Sequence, residues 1–167
     1  MLITVVYSIN HKIIESQNNR IILQFRNFLS KGKSVDSNDF FKSVQTSNKK
    51  VEECLPKNVT LAQVMDNWVN KPGYPVITVT WNKKLRGTVD IKQERFFWVK
   101  PVKEDKTQWY IPINYVTEDS PEKVMPTDKK SRWLIPGTNA SLDKLNDTKW
   151  ILFNKDQTGM YILIIAM

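Results

Sequence analysis

One cysteine and one histidine are all that the 167 residues offer to thiol and imidazole chemistry. With Cys54 alone, no internal disulfide and no cysteine-built zinc site can form. With His11 alone, neither Cys54 nor any serine has a second imidazole to serve as its base. Five glycines supply no Gly-rich cradle for phosphate. Residues 1–9 are apolar but lack the basic start and small-residue cleavage site of a signal peptide. Residues 161–167 are apolar too, but far short of the roughly 20 residues that cross a bilayer. No membrane segment is expected in this chain.

What is present is the composition of a folded protein. Apolar residues make up 41% and charged residues 25%, the proportions of a soluble globular domain rather than a disordered tail, and six tryptophans supply large apolar area for a core. The net charge of +8 could suggest an anionic partner. The excess is spread out, however, with nine basic against six acidic residues in 1–70 and sixteen against eleven in 71–167. Lys83-Lys84-Arg86 and Lys129-Lys130-Arg132 are short clusters beside turns, which read as solvated loops, and no nucleic-acid partner is expected. Three glycosylation sequons, at Asn58, Asn139 and Asn146, are about as many as chance gives in a chain rich in Asn, Ser and Thr.

The organising stretch is residues 60–80. Thr60 followed by Gln63 is a capping box, in which each side chain satisfies a backbone N–H of the first helical turn. Leu61, Val64, Met65, Trp68 and Val69 repeat on one helical face, with Ala62, Gln63, Asp66 and Asn67 turned away. Pro72 and Gly73 end the helix, and Pro75 holds Tyr74 extended. From Val76 the period becomes two, with Ile77, Val79 and Trp81 on one side and Val76, Thr78 and Thr80 on the other.

Upstream, Ile21, Ile22, Phe25, Phe28 and Leu29 share a helical face, and Asp36 is placed to cap a second helix through Phe40, Phe41 and Val44. Residues 47–58 read as a polar connector. Downstream, six strands are expected, over 74–81, 88–99, 109–115, 132–135, 149–153 and 160–165, with 118–130 as the longest loop. Pro112 within a strand-like run marks an edge or a bulge. Trp81, Phe96, Trp98, Trp109, Trp133 and Trp150 read as core residues, and Gln93-Glu94-Arg95 as a structural polar contact.

Several of these segments carry a resemblance. Val64-Met65-Asp66-Asn67-Trp68, Pro72-Gly73-Tyr74-Pro75-Val76-Ile77-Thr78-Val79 and Gln93-Glu94-Arg95-Phe96 are similar to the junction in the M1 family of zinc aminopeptidases where the catalytic domain runs into a small β-sandwich. Trp109-Tyr110-Ile111-Pro112-Ile113, Trp133-Leu134, Trp150-Ile151-Leu152-Phe153-Asn154 and Gln157-Thr158-Gly159-Met160-Tyr161 follow in the family's order. The chain departs from the pattern in residues 1–20. It departs again after Gly159, where Met160-Tyr161-Ile162-Leu163-Ile164-Ile165 replaces the family's Tyr-Tyr-Arg-Val-Asn-Tyr.

The resemblance implies an α+β fold: a helical segment over 1–72 resembling the end of the catalytic domain, then a small antiparallel, Ig-like β-sandwich over 73–167. It implies a family chemistry in which zinc held by H-E-x-x-H and a more distant Glu activates water, while G-x-M-E-N captures the substrate's amino terminus. Neither motif occurs in this chain. His11-Lys12-Ile13-Ile14-Glu15 lacks the second histidine, and Lys12 would repel a cation. The acidic neighbours Glu52-Glu53 and Glu118-Asp119 read as solvated rather than as a converging acid and base. The expectation is therefore no catalytic, cofactor-binding or metal-binding residue and no cofactor in this chain. Its partners would be the remaining domains of a parent aminopeptidase, which alone would meet peptides. The alternative is a stand-alone Ig-like interaction module. Family members are membrane-anchored, secreted or cytoplasmic, so the resemblance leaves the compartment open.

Overall fold

A computed structural model describes residues 26, 29, 30, 32, 34, 36–47, 49–82, 87–99, 101–125, 132–142, 148–157 and 159–166. The segment 1–20, His11, the clusters Lys83-Lys84-Arg86 and Lys129-Lys130, and the Asn146 sequon lie outside these residues. Of the helix expected over 21–29, Arg26 and Leu29 are described; both are helical, and Leu29 is exposed rather than on a covered face.

Beyond those two residues, three helices of described bounds precede the sheets among the described residues: α1 (Ser37–Ser47), α2 (Lys49–Cys54) and α3 (Leu61–Asn70). Asp36 caps α1, its Oδ1 accepting from the Asp39 N–H at 2.8 Å. The capping box of α3 forms as expected: the Gln63 N–H donates to Thr60 Oγ1, and the Thr60 N–H to Gln63 Oε1 at 2.8 Å. The Leu61 N–H is satisfied across the helix pair by Gln45 Oε1 of α1, at 2.9 Å. α2 was not expected, since KKVEEC shows a single apolar anchor, Val51, which is buried.

Nine strands follow among the described residues: β1 (Pro75–Asn82), β2 (Thr88–Arg95), β3 (Ile111–Ile113), β4 (Tyr115–Thr117), β5 (Ser120–Met125), β6 (Arg132–Leu134), β7 (Ala140–Leu142), β8 (Ile151–Phe153) and β9 (Ile162–Ala166). They form three small sheets, in the orders β7-β2-β1-β9, β3-β6 and β5-β4-β8. Pairing is antiparallel except at β1 and β9, which run parallel with Val76 opposite Ile162 and Thr80 opposite Ala166. The fold is α+β with a sandwich-like arrangement of strands. Ile77, Val79, Val89 and Ile91 from the largest sheet join Ile111, Ile113, Trp133, Leu134 and Phe153 from the other two in one core, which also takes Leu61, Val64, Met65 and Trp68 of α3.

Six expected strands are present with altered limits. The second ends at Arg95 rather than Val99, and the third is broken at Asn114 into β3 and β4. Pro112 sits in β3, whose one strand neighbour among the described residues is β6, so its missing N–H costs the ladder nothing on the outer side. β5 lies inside the expected loop 118–130, paired to β4 with a register shift between Tyr115 and Thr117. β7 was also not expected, being three residues long.

Two faces differ from the sequence reading. Within α3, Asn67 is buried and Val69 exposed. Trp98 is 91% exposed and Trp150 42%, so neither is a core residue, whereas Trp109 and Trp133 are. Leu61, Val64, Met65 and Trp68 of the apolar stripe of α3 are covered in the core shared with α1, α2 and the strands.

Candidate functional site

The helix-to-sheet turn adjoins a set of side-chain-to-backbone hydrogen bonds. Gly73 has φ +88°, a left-handed conformation that glycine adopts freely, and a Cβ there would stand 2.8 Å from Arg95 Nε. The turn thus directs α3 across the segment 108–111, which carries no strand hydrogen bonds until Ile111. Side chains supply the missing ladder. Asn67 Nδ2 donates to the Gln108 carbonyl at 3.0 Å, and Asn67 Oδ1 accepts from the Tyr110 N–H at 2.9 Å. On the opposite side Gln93 does the same for Trp109: its Nε2 donates to the Trp109 carbonyl at 2.9 Å and its Oε1 accepts from the Trp109 N–H at 2.8 Å. Trp68 Nε1 donates to the Tyr110 carbonyl at 2.8 Å and Lys71 Nζ to the Gln108 carbonyl at 3.1 Å. Two primary amides therefore hold residues 108–110 between helix and sheet. Asn67 and Gln93 are both buried, where an amide is stable only when its groups are paired.

Beside this seam lies a cleft of about 290 Å³ whose lining includes Arg95, Phe97, Pro101, Lys103 and Asp105. Arg95 Nη1 meets Asp105 Oδ2 at 3.1 Å and its guanidinium lies 4.9 Å over the Phe97 ring. Hydrogen bonds from Thr107, with the Arg95 charge behind them, hold the Asp105 carboxyl below its usual range. Tyr74 stacks on Phe96 at 5.0 Å, and Phe96 meets Trp98 edge to face at 5.3 Å. Of the charges lining the cleft, Arg95 and Asp105 are paired with one another, and the lining holds no hydroxyl or thiol nucleophile beside a base.

The residues weighed for chemistry are spread apart. Cys54 is half-buried at the end of α2, and its carbonyl accepts from Trp133 Nε1 at 2.8 Å. Glu118 is bonded by the Lys149 ammonium at 3.0 Å and the Lys149 N–H at 3.1 Å, which lower its pKa. Asp119 Oδ2 accepts from Thr148 Oγ1 at 3.3 Å. This pair ties the β4–β5 turn to the chain entering β8 and does not form an acid and base facing one substrate. Among the described residues no three His, Cys, Asp or Glu side chains are grouped to hold a metal ion. A zinc held by two histidines and a glutamate does not fit a sequence with one histidine. Among the described residues no helix is long and apolar enough to cross a membrane.

Sequence reasoning expected a structural contact from residues 93–95 and missed Asn67, which it turned outward. The signal for Asn67 is faint: an amide one residue before a core tryptophan, at a position that a helical wheel places at the border of the apolar stripe.

No family model matches the chain. It is 26% identical over 132 residues to aminopeptidase N of Plutella xylostella, a match covering 77% of this chain and 13% of that protein. It is 29% identical over 125 residues to the thyrotropin-releasing hormone-degrading ectoenzyme of Rattus norvegicus, covering 66% and 11%. It is 30% identical over 103 residues to aminopeptidase N of Lactococcus lactis, covering 62% and 11%. The chain thus spans little more than a tenth of the length of these relatives. Across most of its length it is similar to one segment of the M1 aminopeptidases of the aminopeptidase N type.

Proposed function

We propose that this chain is a non-catalytic part of an M1 zinc aminopeptidase, with residues 1–72 as the end of a catalytic domain and 73–167 as a β-sandwich that spaces it from a further helical domain. In this reading the chain carries no zinc site and removes no amino-terminal residue from a peptide by itself. The remaining domains of the parent are its partners, and the parent alone meets peptides. The observation that carries the reading is the seam: α3 passes into β1 without a flexible linker and is fastened to the sandwich by Asn67, Trp68 and Gln93. A spacer has to transmit position rather than perform chemistry, and paired buried amides give such a joint one geometry.

An antibody raised against residues 73–167 tests this on source tissue. The expected result is a polypeptide several times larger than 19.6 kDa, with aminopeptidase activity that immunoprecipitates with it. A single product of 19.6 kDa would overturn the spacer role. That outcome favours the second reading, a stand-alone interaction module, for which the supporting observation is the exposed aromatic step Tyr74–Phe96–Trp98.

A further inference from the structure

The loop that leads from β2 to the seam carries the barest apolar side chains of the described residues. Trp98 and Val99 are 91% and 82% exposed and Val102 is wholly so, whereas no other large apolar side chain among the described residues exceeds 55%. Side chains this bare line no groove; they stand out from the body. Their foot is held, however. The Phe96 N–H donates to the Tyr74 carbonyl at 3.0 Å, the Phe96 ring touches both the Tyr74 and Trp98 rings, and Arg95 at the end of β2 meets Asp105 across the base of the loop. An apolar tip on a fixed foot loses little freedom when it is covered.

The chemistry of the tip decides what covers it. Residues 96–103 read Phe-Phe-Trp-Val-Lys-Pro-Val-Lys, with two lysines and no acid. The acids that follow are occupied, Asp105 by Arg95 and Glu104 by Lys106 at 3.7 Å, while Lys103 has no ion pair among the described residues. Beyond the two ammonium groups, the Trp98 indole N–H is the only polar side-chain group in 96–103. A folded protein takes an apolar anchor in a matching pocket and fixes it through a polar rim, for which this segment has almost no side-chain groups. A bilayer surface asks for less: tryptophan at the headgroup level, aliphatic side chains below it and ammonium groups against lipid phosphates and carboxylates. The net charge of +8 adds attraction to an anionic surface.

We propose that this loop docks on an anionic lipid surface, with Trp98, Val99 and Val102 entering the interface and Lys103 meeting headgroups. Two lysines are fewer than the about four to eight of a strong polybasic anchor, so the docking is reversible and weakens with salt. The inference gives a partner to the aromatic step named under the second reading but does not rest on that reading, since a parent enzyme would carry the same loop.

Flotation of the full 167-residue chain at low salt with vesicles of phosphatidylcholine and phosphatidylserine in equal parts should recover it with the lipid, and vesicles of phosphatidylcholine alone should bind at least about tenfold less. Trp98→Ser should lower binding to the anionic vesicles at least about tenfold and Lys103→Glu several-fold, whereas Trp150→Ser, at a second exposed tryptophan, should leave it unchanged. Brominated lipid in the same vesicles should quench the part of the emission that the parent chain has and Trp98→Phe lacks, which reports the position of that indole whatever the other variants do. Failure to bind the anionic vesicles at low salt, or equal losses at 98 and 150, would overturn the proposal. Binding with the Trp98 emission unquenched would overturn it too, because net charge alone would then hold the chain and the tip would be left to a protein partner.

Discussion

Helix α3 and strand β9 are both strongly apolar, and each needs neighbours to cover its apolar side chains. α3 finds them within the chain: Leu61, Val64, Met65 and Trp68 are buried, and the polar atoms at its border are matched by backbone groups of 108–110. β9 has one strand neighbour among the described residues, β1, and leaves three isoleucines substantially exposed. The difference lies in polar matching rather than hydrophobicity. Area burial supplies about 1.5–3 kcal/mol per fully covered aliphatic side chain, but it does not choose a unique seat. At α3 the seat is chosen by Asn67 and Gln93, each of which can satisfy one backbone N–H and one carbonyl at a single relative position of helix and sheet. β9 has no side chain that selects a partner in this way on its outer border. Its entry is nevertheless fixed: Asn154 Oδ1 accepts from the Gly159 N–H at 2.7 Å, Asn154 Nδ2 donates to the Gly159 carbonyl at 3.0 Å, and burial pushes the Tyr161 phenol pKa up.

The largest test of this contrast is at Trp109, fully buried where α3 meets the sheets and 6.3 Å from the Trp68 ring. Trp109→Ala should destabilise the chain by about 3–5 kcal/mol, enough to abolish cooperative unfolding in a marginal domain. The same truncation at Trp98 should change stability by less than about 0.5 kcal/mol. Urea denaturation followed by far-ultraviolet circular dichroism measures both, and similar losses at the two sites would erase the distinction between seam and surface. Next in size is Gln93→Leu, which keeps bulk but leaves the Trp109 N–H and carbonyl unpaired, at about 2–4 kcal/mol. Asn67→Leu should cost less, about 1–3 kcal/mol, because the Gln108 carbonyl keeps Lys71 and only the Tyr110 N–H is orphaned. If Asn67→Leu proved as stable as the parent chain, apolar area alone would be seating the helix. Thr60→Ala removes the cap at the far end of α3 and should lower stability by about 1 kcal/mol without altering the seam.

How much of this could be read in advance depended on how far apart the partners lie. Thr60 and Gln63 are three residues apart, and their reciprocal capping was legible because a helix start is a local event. Gly73 and the alternation after Val76 were legible for the same reason. Asn67 was turned outward on the helical wheel because its partners at 108 and 110 are about 40 residues away and are backbone groups, which leave no trace in sequence. α2 was hidden because six residues with one buried valine show no period. β5 was hidden because Pro121, Glu122 and Lys123 look like loop residues, and those same residues suit a sheet border. β9 was legible as a strand but not as the parallel neighbour of β1, since nothing in either segment specifies direction. Trp98 and Trp150 read as core by residue type alone, which is a preference of tryptophan and not a property of their positions. As for the site, the sequence's single histidine already spoke against the family's zinc ligands, while the polar seam that stands in its place needed coordinates.

The smallest expected effect is electrostatic and sits between the two regions, where Arg95 at the end of β2 holds Asp105 in the loop that leads to the seam. The folded chain keeps the Asp105 pKa below its ordinary value, through hydrogen bonds from Thr107 and the Arg95 charge. A carboxyl whose pKa is depressed on folding adds stability that is complete above its unfolded pKa and vanishes as pH falls through its folded one. Asp105→Asn should therefore be slightly less stable than the parent chain at neutral pH, and the gap should close as acidification takes the pH below the depressed Asp105 pKa. Solvent reaches this pair, so salt should shrink the neutral-pH gap as well. Denaturation midpoints for the two chains at neutral and acid pH, with and without added salt, measure both dependences. A gap that persisted in acid would mean that Asp105 acts through the shape of the loop, its hydrogen bonds to Thr107 being reproduced poorly by an amide. The anchoring of residues 105–110 would then be wholly steric and hydrogen-bonded, like the Asn67 and Gln93 contacts a few residues further on.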